Sequence, residues 1–454
     1  MAGTPKERPA ESLAPFASPD QLDPNLQNFL EEANKRLCRW FGSANSRGPL
    51  PSLTVLPEVA PPFLGLSGEE LIEDLQLVMD GAYQPSHPGS LAHLDPPPLT
   101  ASIAAELICA GLNNNLLAEE LSPSLSILER QLCKWFSDRL GLPSKAGGVA
   151  ASGGTLSNIM ALVVARHYAG VQEDPDAVVI ASVDAHVSLS KAIKVMGLRP
   201  SSFVRVPTDG DGRISISSLK RQLITLRHQG RRCFAIVATA GTTVRGAVDP
   251  LISLREICTR EGIWLHVDGA IGGMFALSPE TSAVVSGISK ADSVTLNPQK
   301  LLGISKTSSL LLLADQSLLF STFSTGLPYM EPTWGDSPHG GEIGIQGSRS
   351  AEVLKLWLGL RQLGEQGIKT HMKNAIKRRC YLQRALDESL LDLISGPLHL
   401  IACTSKEVNN DQSKTWSLTT RQQLLDHQLM LSRPFYQGSH YLKVVLGNPH
   451  TQLI

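Results

Sequence analysis

FAIVATAGTTVRGAVDPLISLREICTREGIWLHVDGAIGGMFALSPETSAVVSGISKADSVTLNPQK, residues 234–300, carries the fold. Three short, nearly all-apolar runs stand in it, FAIVATA (234–240), IWLHVD (263–268) and SVTLN (293–297), and they read as strands. Between the first two, residues 251–261 read as a helix. Outward of this stretch the alternation continues. VVIASV (178–183), FVRVP (203–207) and SLLLL (309–313) read as strands, and 156–168, 188–196 and 216–229 as helices. Apolar strands alternating with helices predict an α/β chain whose mostly parallel central sheet is covered by helices on both faces.

The flanks differ in texture. Residues 1–22 are rich in Pro, Ser and charge, bury little, and are expected to form a mobile arm. Leu26, Phe29, Leu30, Ala33, Leu37 and Trp40 recur at helical spacing over 25–41, an amphipathic helix that needs a partner surface. Residues 48–62 are proline-punctuated and read as a linker. The helix predicted over 68–80 has Ser67 as N-cap and Glu70 three residues on, a capping box. Past Ala351, AEVLKLWLGLRQLG reads as a helix, and a more polar region follows that ends on the strand-like YLKVVLG. The expected division is 1–85, an N-terminal arm with dimerisation helices; 86–365, a large domain; and 366–454, a small C-terminal domain. No internal repeat or low-complexity tract is present.

At 454 residues and 42% hydrophobic content the chain can bury a large core. Its 41 basic and 42 acidic residues give a formal charge of −1, so no global field draws nucleic acid or an anionic membrane. The seven cysteines are odd in number, scattered and never in C-x-x-C spacing, which disfavours a disulfide framework and a zinc site; no metal is expected. No stretch has the length and apolarity of a secretory h-region or a membrane span, and a cytoplasmic protein without a membrane partner is expected.

Ligands of a parallel sheet gather beyond the carboxyl ends of its strands. Asp268 closes 263–268, His186 follows 178–183, Thr239 lies near the end of 234–240, and Asn297 and Lys300 follow 293–296. Taken singly, each is an ordinary surface, cap or turn residue. Together they place polar groups from four strand ends in one region. The run 151–158, ASGGTLSN, sets Gly153, Gly154 and the Thr155 hydroxyl just before a helix, offering backbone N–H groups and a positive dipole end to a phosphate. A glycine-rich helix start with no ligand is the plain alternative.

The motifs SPSLSILE (122–129), SGGTLSN (152–158), DAHVSLSKA (184–192), HVDGAIGG (266–273), NPQK (297–300) and GSRSAEVLKLW (347–357) resemble, in order, those of the group II pyridoxal-dependent decarboxylases. That family includes aromatic-amino-acid, glutamate, cysteine-sulfinate and diaminobutyrate decarboxylases. The similarity covers roughly 85–446, and the ordered set is far more specific than any one motif. It implies a fold type I enzyme dependent on pyridoxal 5'-phosphate (PLP) that releases CO2 from an L-amino acid. Residue by residue, Lys300 resembles the lysine that carries the cofactor as a Schiff base, Asp268 the partner of the ring nitrogen, and His186 the imidazole stacked on the ring. Gly154, Thr155 and Asn297 match positions that hold the phosphate, with Gly153 beside them. Thr239 and Ala270 match positions along the ring's edge and face. One departure stands out: many members have His immediately before the lysine, and here it is Gln299.

The resemblance also implies an acid that returns a proton to Cα from a mobile loop reaching the neighbouring subunit's site. FSTFSTGLPYMEPTWGDSPHGG (320–341) is the matching loop, with Tyr329 as candidate and His339 as second choice. HPGSLAHLDPPP (87–98) resembles the segment that lines the substrate side chain, and His93, Leu94 and Asp95 occupy it. The AHLDPPP form is most similar to the diaminobutyrate branch, where Asp95 faces a side-chain amine; a turn cap is the alternative role. The same layout serves aminotransferases and lyases, and a silent binding scaffold is a further reading. The loop holds no cysteine for desulfurase chemistry, and intact Lys300, Asp268 and His186 argue against a scaffold. A homodimer is expected, because the 25–41 helix precedes the main core and the loop completes a neighbour's site. After YLKVVLGNPHT the chain is shorter than its family's, which places a terminal helix in doubt.

Overall fold

The computed structural model describes residues 13–52 and 55–452; most of the expected N-terminal arm, 1–12, and residues 53–54 of the linker lie outside them. The described chain opens with α1 (Pro24–Gly42), α2 (Ala44–Arg47) and α3 (Gly68–Asp80). Asp23 caps α1 by accepting from the Asn25 and Leu26 amides, and Ser67 and Glu70 form the capping box of α3. The two helices pair through Arg36 and Glu73 (2.7 Å) and through Trp40 Nε1, which donates to Met79 O (2.9 Å). No residue of α1 is buried.

Next come α4 (Thr100–Leu112) and α5 (Pro123–Arg139), then β1 (Gly147–Ala151), α6 (Gly154–Tyr168), β2 (Val178–Ser182), α7 (Ser188–Val195) and β3 (Phe203–Val206). They continue into α8 (Ile216–His228), β4 (Cys233–Thr239), α9 (Leu251–Glu261), β5 (Trp264–Gly269), β6 (Ser293–Leu296), β7 (Ser309–Leu313) and α10 (Ser317–Phe323). The sheet order is β1-β7-β6-β5-β4-β2-β3. Pairs β2–β3, β2–β4, β4–β5 and β5–β6 are parallel, and β7 runs antiparallel to both β6 and β1.

Side chains of successive strand residues go to opposite faces, and here both faces are core. Val178, Ile180, Ile236, Leu265 and Leu312 pack on one side with α5, α8 and α9. Val179, Ala181, Val237, Leu311 and Leu313 pack on the other with α6, α7 and α10. Most strand positions are therefore apolar on both faces, and the runs read as nearly continuous; the exceptions include His266 and Asp268 of β5 with Ser293 and Thr295 of β6, which are buried polar residues. β1, GGVAA, is absent from the sequence reading because two glycines and two alanines carry no strand preference. The edge pairing makes it a strand, and Gly148 is required there: a Cβ would stand 2.0 Å from Leu311 O.

α11 (Val353–Ala385) follows, broken at Gly364, whose φ of 60° and ψ of 175° interrupt the helix. Beyond it lie β8 (Leu391–Ser395), β9 (Leu400–Ser405), α12 (Asn410–Asp426), β10 (Phe435–Tyr436), β11 (Ser439–His440) and β12 (Leu442–Val445). β8, β9 and β12 form an antiparallel sheet of their own, with YLKVVLG supplying β12. Among the described residues no helix is long and apolar enough to cross a membrane.

Candidate active site

The strand ends converge on one cleft of about 270 Å³. The β1–α6 turn brings Gly153, Gly154 and Thr155 to it, and the β2–α7 turn brings His186. Thr239 enters from β4, Asp268 and Ala270 from β5, and Asn297, Gln299 and Lys300 from the segment after β6. Every residue that the sequence assigned to cofactor binding thus lines a single space. His93, Leu94 and Asp95 line a separate, small cavity on which Lys300 also borders. Lys300 stands between the two.

Asp268 is buried, and both of its oxygens are held. Oδ1 accepts from the Ala270 amide (3.1 Å) and Oδ2 from Asn158 Nδ2 (2.8 Å). Because Nδ2 must face the carboxylate, Asn158 Oδ1 must accept, and its partner at 3.0 Å is His266 Nε2. His266 therefore carries its proton on Nε2, and Nδ1 accepts from the Ser293 hydroxyl (2.8 Å), which itself accepts from Trp264 Nε1 (2.8 Å). Burial lowers the His266 pKa, in keeping with this neutral tautomer. The row leaves Asp268 only as an acceptor, so a proton on a ligand nitrogen is what it can bind. Asn158 also donates to Ser188 Oγ (2.9 Å), tying α6 to α7.

Asn158 and His266 lie in motifs quoted from the sequence but received no role there. The signal was present for Asn158: it stands four residues after Gly154 in a helix and so shares its face.

At the start of α6 the N-cap residue, Gly153, has no side chain with which to cap the helix. Asn297, oriented so that Nδ2 donates to Ser309 Oγ (2.9 Å) and Leu296 O (3.0 Å), accepts from the Gly154 amide at 3.3 Å. A Cβ at Gly154 would meet the Asn297 amide at 3.0 Å. Thr239 Oγ1 is buried without a partner among the described residues. A glycine-entered helix start that shares a cleft with this hydroxyl suits an anionic group with acceptor oxygens, as a phosphate is. Burial lowers the pKa of Lys300, with Asp268 and Asp95 opposing, which favours the free amine. His186 Nδ1 accepts from the Ser188 amide (3.2 Å), and burial lowers its pKa too. Gln299, at the cleft wall, is tied to the chain after it: its Oε1 accepts from the Ser308 amide at 2.5 Å.

Tyr329 is 70% exposed and lies outside the cleft. His339 is buried and committed: Nδ1 accepts from the Glu119 amide (3.2 Å) and Nε2 donates to Glu331 O (2.9 Å). Neither reaches the cleft of its own chain. Asp95 pairs with Lys306 at 2.7 Å. A residue with no assignment from sequence, Lys443 of β12, donates to Thr243 O (3.3 Å) beside the cleft. Burial and Lys300 pull its pKa from 10.5 to about 8. Among the described residues no carboxylate pairs with it.

The family model of the pyridoxal-dependent decarboxylase conserved domain matches residues 54–394. An L-2,4-diaminobutyrate decarboxylase of Rhizobium meliloti (strain 1021) is 32% identical over 357 residues, 76% of this chain and 71% of that one. An aromatic-L-amino-acid decarboxylase of Bacillus atrophaeus is 35% identical over 281 residues, 61% of this chain and 58% of that one. Among solved structures, mouse CSAD in apo form superposes with a TM-score of 0.86 at 26% identity, covering 94% of this chain and 96% of the other. With its match spanning both the cleft and the lysine that borders it, the chain belongs to the pyridoxal-dependent decarboxylases, and it is a PLP-dependent amino-acid decarboxylase.

Proposed function

We propose that the substrate is a small, non-aromatic L-amino acid of the diaminobutyrate type, bound on the Asp95 side of Lys300. The observation that carries this is the position of Lys300 between the cleft and the cavity lined by His93, Leu94 and Asp95. Bound PLP supplies the electron sink for the pair left at Cα when CO2 departs. Lys300 holds the cofactor through an amine whose burial favours the reactive, uncharged form. Asp268 would hold the proton of the cofactor's ring nitrogen, and the Gly153–Thr155 turn with Asn297 would hold its phosphate. His186, Thr239 and Ala270 would line the space for the ring.

Lys443 supports a reading in which its buried ammonium meets a substrate carboxylate. Asp95 shares its charge with Lys306, both partly exposed at 37% and 53%, so a substrate ammonium can exchange for Lys306 at small cost. The proton that replaces CO2 comes from Tyr329 on the loop of a second subunit, since both ring nitrogens of His339 are taken. A second reading, an acidic side chain, is favoured by the two cations Lys443 and Lys306 near Lys300. CO2 release from a panel of L-amino acids decides between them. Turnover of 2,4-diaminobutyrate above aspartate, glutamate and the aromatic acids supports the first reading, and preference for an acidic substrate overturns it.

A further inference from the structure

His186 makes its one ring hydrogen bond within its own turn, so the ring goes where the β2–α7 turn goes. That turn is pinned on one side inside the large sheet, where Ser188 Oγ accepts from Asn158. Its other pin comes from a different layer. Asp184, two residues before His186 and itself lining the cleft, accepts at Oδ2 from the phenol of Tyr436 at 2.7 Å. Tyr436 belongs to the β10–β11 hairpin and is 7% exposed.

The proton order of this contact is settled by its neighbours. Gln437 Nε2 donates to Tyr436 Oη at 3.2 Å, so the phenol proton is free for Asp184. Burial, then the bond to Asp184, push the Tyr436 pKa up to about 12, and the phenol keeps its proton. Burial raises Asp184, with the Tyr436 bond and the Arg245 charge acting against it. Nearby, the loop that borders the cleft after β4 is held by the same C-terminal layer. Gly396 N donates to Arg245 O (2.5 Å), Lys443 to Thr243 O (3.3 Å), and Val244 packs against Tyr436 and Tyr441.

We propose that Tyr436 is a positioning residue for the decarboxylase: its hydrogen bond to Asp184 carries the placement of the C-terminal layer to the turn that holds His186 over the cofactor. This rests on the cofactor reading of the cleft. A charge-assisted bond between two buried or half-buried groups is strong enough to bias a short turn.

The test uses the holoenzyme and four variants, Tyr436→Phe, Asp184→Asn, Asp184→Ala and the double Tyr436→Phe with Asp184→Ala, with the visible circular dichroism of bound PLP, the PLP dissociation constant and the melting temperature read together. Tyr436→Phe removes one oxygen and leaves the ring packing. It is expected to lose much of the visible dichroic band and to bind PLP roughly tenfold more weakly, the effect of one charge-assisted hydrogen bond. Asp184→Asn, whose amide oxygen still accepts the phenol proton, retains most of the band. Tyr436→Phe combined with Asp184→Ala loses no more than the worse single variant, because the two act through one bond. A Tyr436→Phe enzyme with wild-type dichroism and PLP affinity, whatever its melting temperature, overturns the proposal, as do single losses that add in the double variant. A wild-type protein that gains no visible band with PLP overturns the cofactor reading itself, and the proposal falls with it.

Discussion

Trp264, Ser293, His266 and Asn158 stand in a row behind Asp268, each donating toward the next or fixing its tautomer. The carboxylate's geometry is thus set before any ligand arrives, and its charge is what the ligand meets. Asp268→Asn replaces an obligate acceptor by an amide and is expected to retain bound PLP while the rate falls by roughly two to three orders of magnitude. Near-normal turnover in that variant removes the electron-sink role from Asp268. Lys300→Ala is expected to lose the visible absorbance of lysine-bound cofactor together with turnover; a borohydride-stable adduct in it would place the covalent link elsewhere.

Lys443 permits a pH prediction. Its pKa is about 8 in the folded chain against 10.5 ordinarily. Below pH 8 both states hold the proton, and the folded state bears the full penalty of burying it. Between 8 and 10.5 the unfolded chain binds more protons, so this group's contribution to stability rises with pH. Urea unfolding of the wild type and Lys443→Met from pH 7 to 10 isolates the effect: the wild type gains on the variant as pH rises. Parallel curves would mean that the amine is not desolvated.

At the scale of elements, the motifs of α5 and of the segment before α11 meet in one ion pair. Glu129 and Arg349, with side chains 4% and 7% exposed, bond at 2.6 and 3.0 Å, and Glu129 also accepts from the Ala150 amide. The pair ties α5 and the 340–352 segment to the edge strand β1. Glu129→Ala leaves a buried guanidinium without its counter-charge and is expected to cost about 3–5 kcal/mol in urea unfolding. A loss below 1 kcal/mol would indicate that water replaces the carboxylate there. Gly148 and Gly154 act at the same scale. Each marks a close approach, of backbone in one case and of the Asn297 amide in the other.

At the scale of the molecule, the loop bearing Tyr329 lies away from its own cleft, and α1 buries none of its residues. Both features fit an assembly in which each subunit completes the other's site. Mixing Lys300→Ala subunits with Tyr329→Phe subunits, each inactive alone, is then expected to restore partial activity, because one of the two sites in the heterodimer keeps both groups. Absence of recovery, with subunit exchange verified by tagged copies, would show that the loop serves its own subunit or that another residue is the acid.

Much of this protein is legible along the chain. Strands β2 to β7 announce themselves because a sheet buried on both faces needs apolar residues at most positions, and the α6 glycines, Asp268, His186 and Lys300 stand at strand ends, where parallel topology gathers ligands. Local chemistry also declares the capping box of α3. What pairing and packing decide is different in kind. β1 has no intrinsic strand character and exists because β7 offers an edge. Lys443 and Tyr436 carry no local mark, since their meaning comes from a C-terminal layer that folds back beside the cleft, 200 and 252 residues in sequence from the groups they bond. The orientation of Asp268 likewise depends on a hydrogen-bond row across α6, β5 and β6. Periodicity and motif spacing report on neighbours in sequence; a proton's direction is set by neighbours in space.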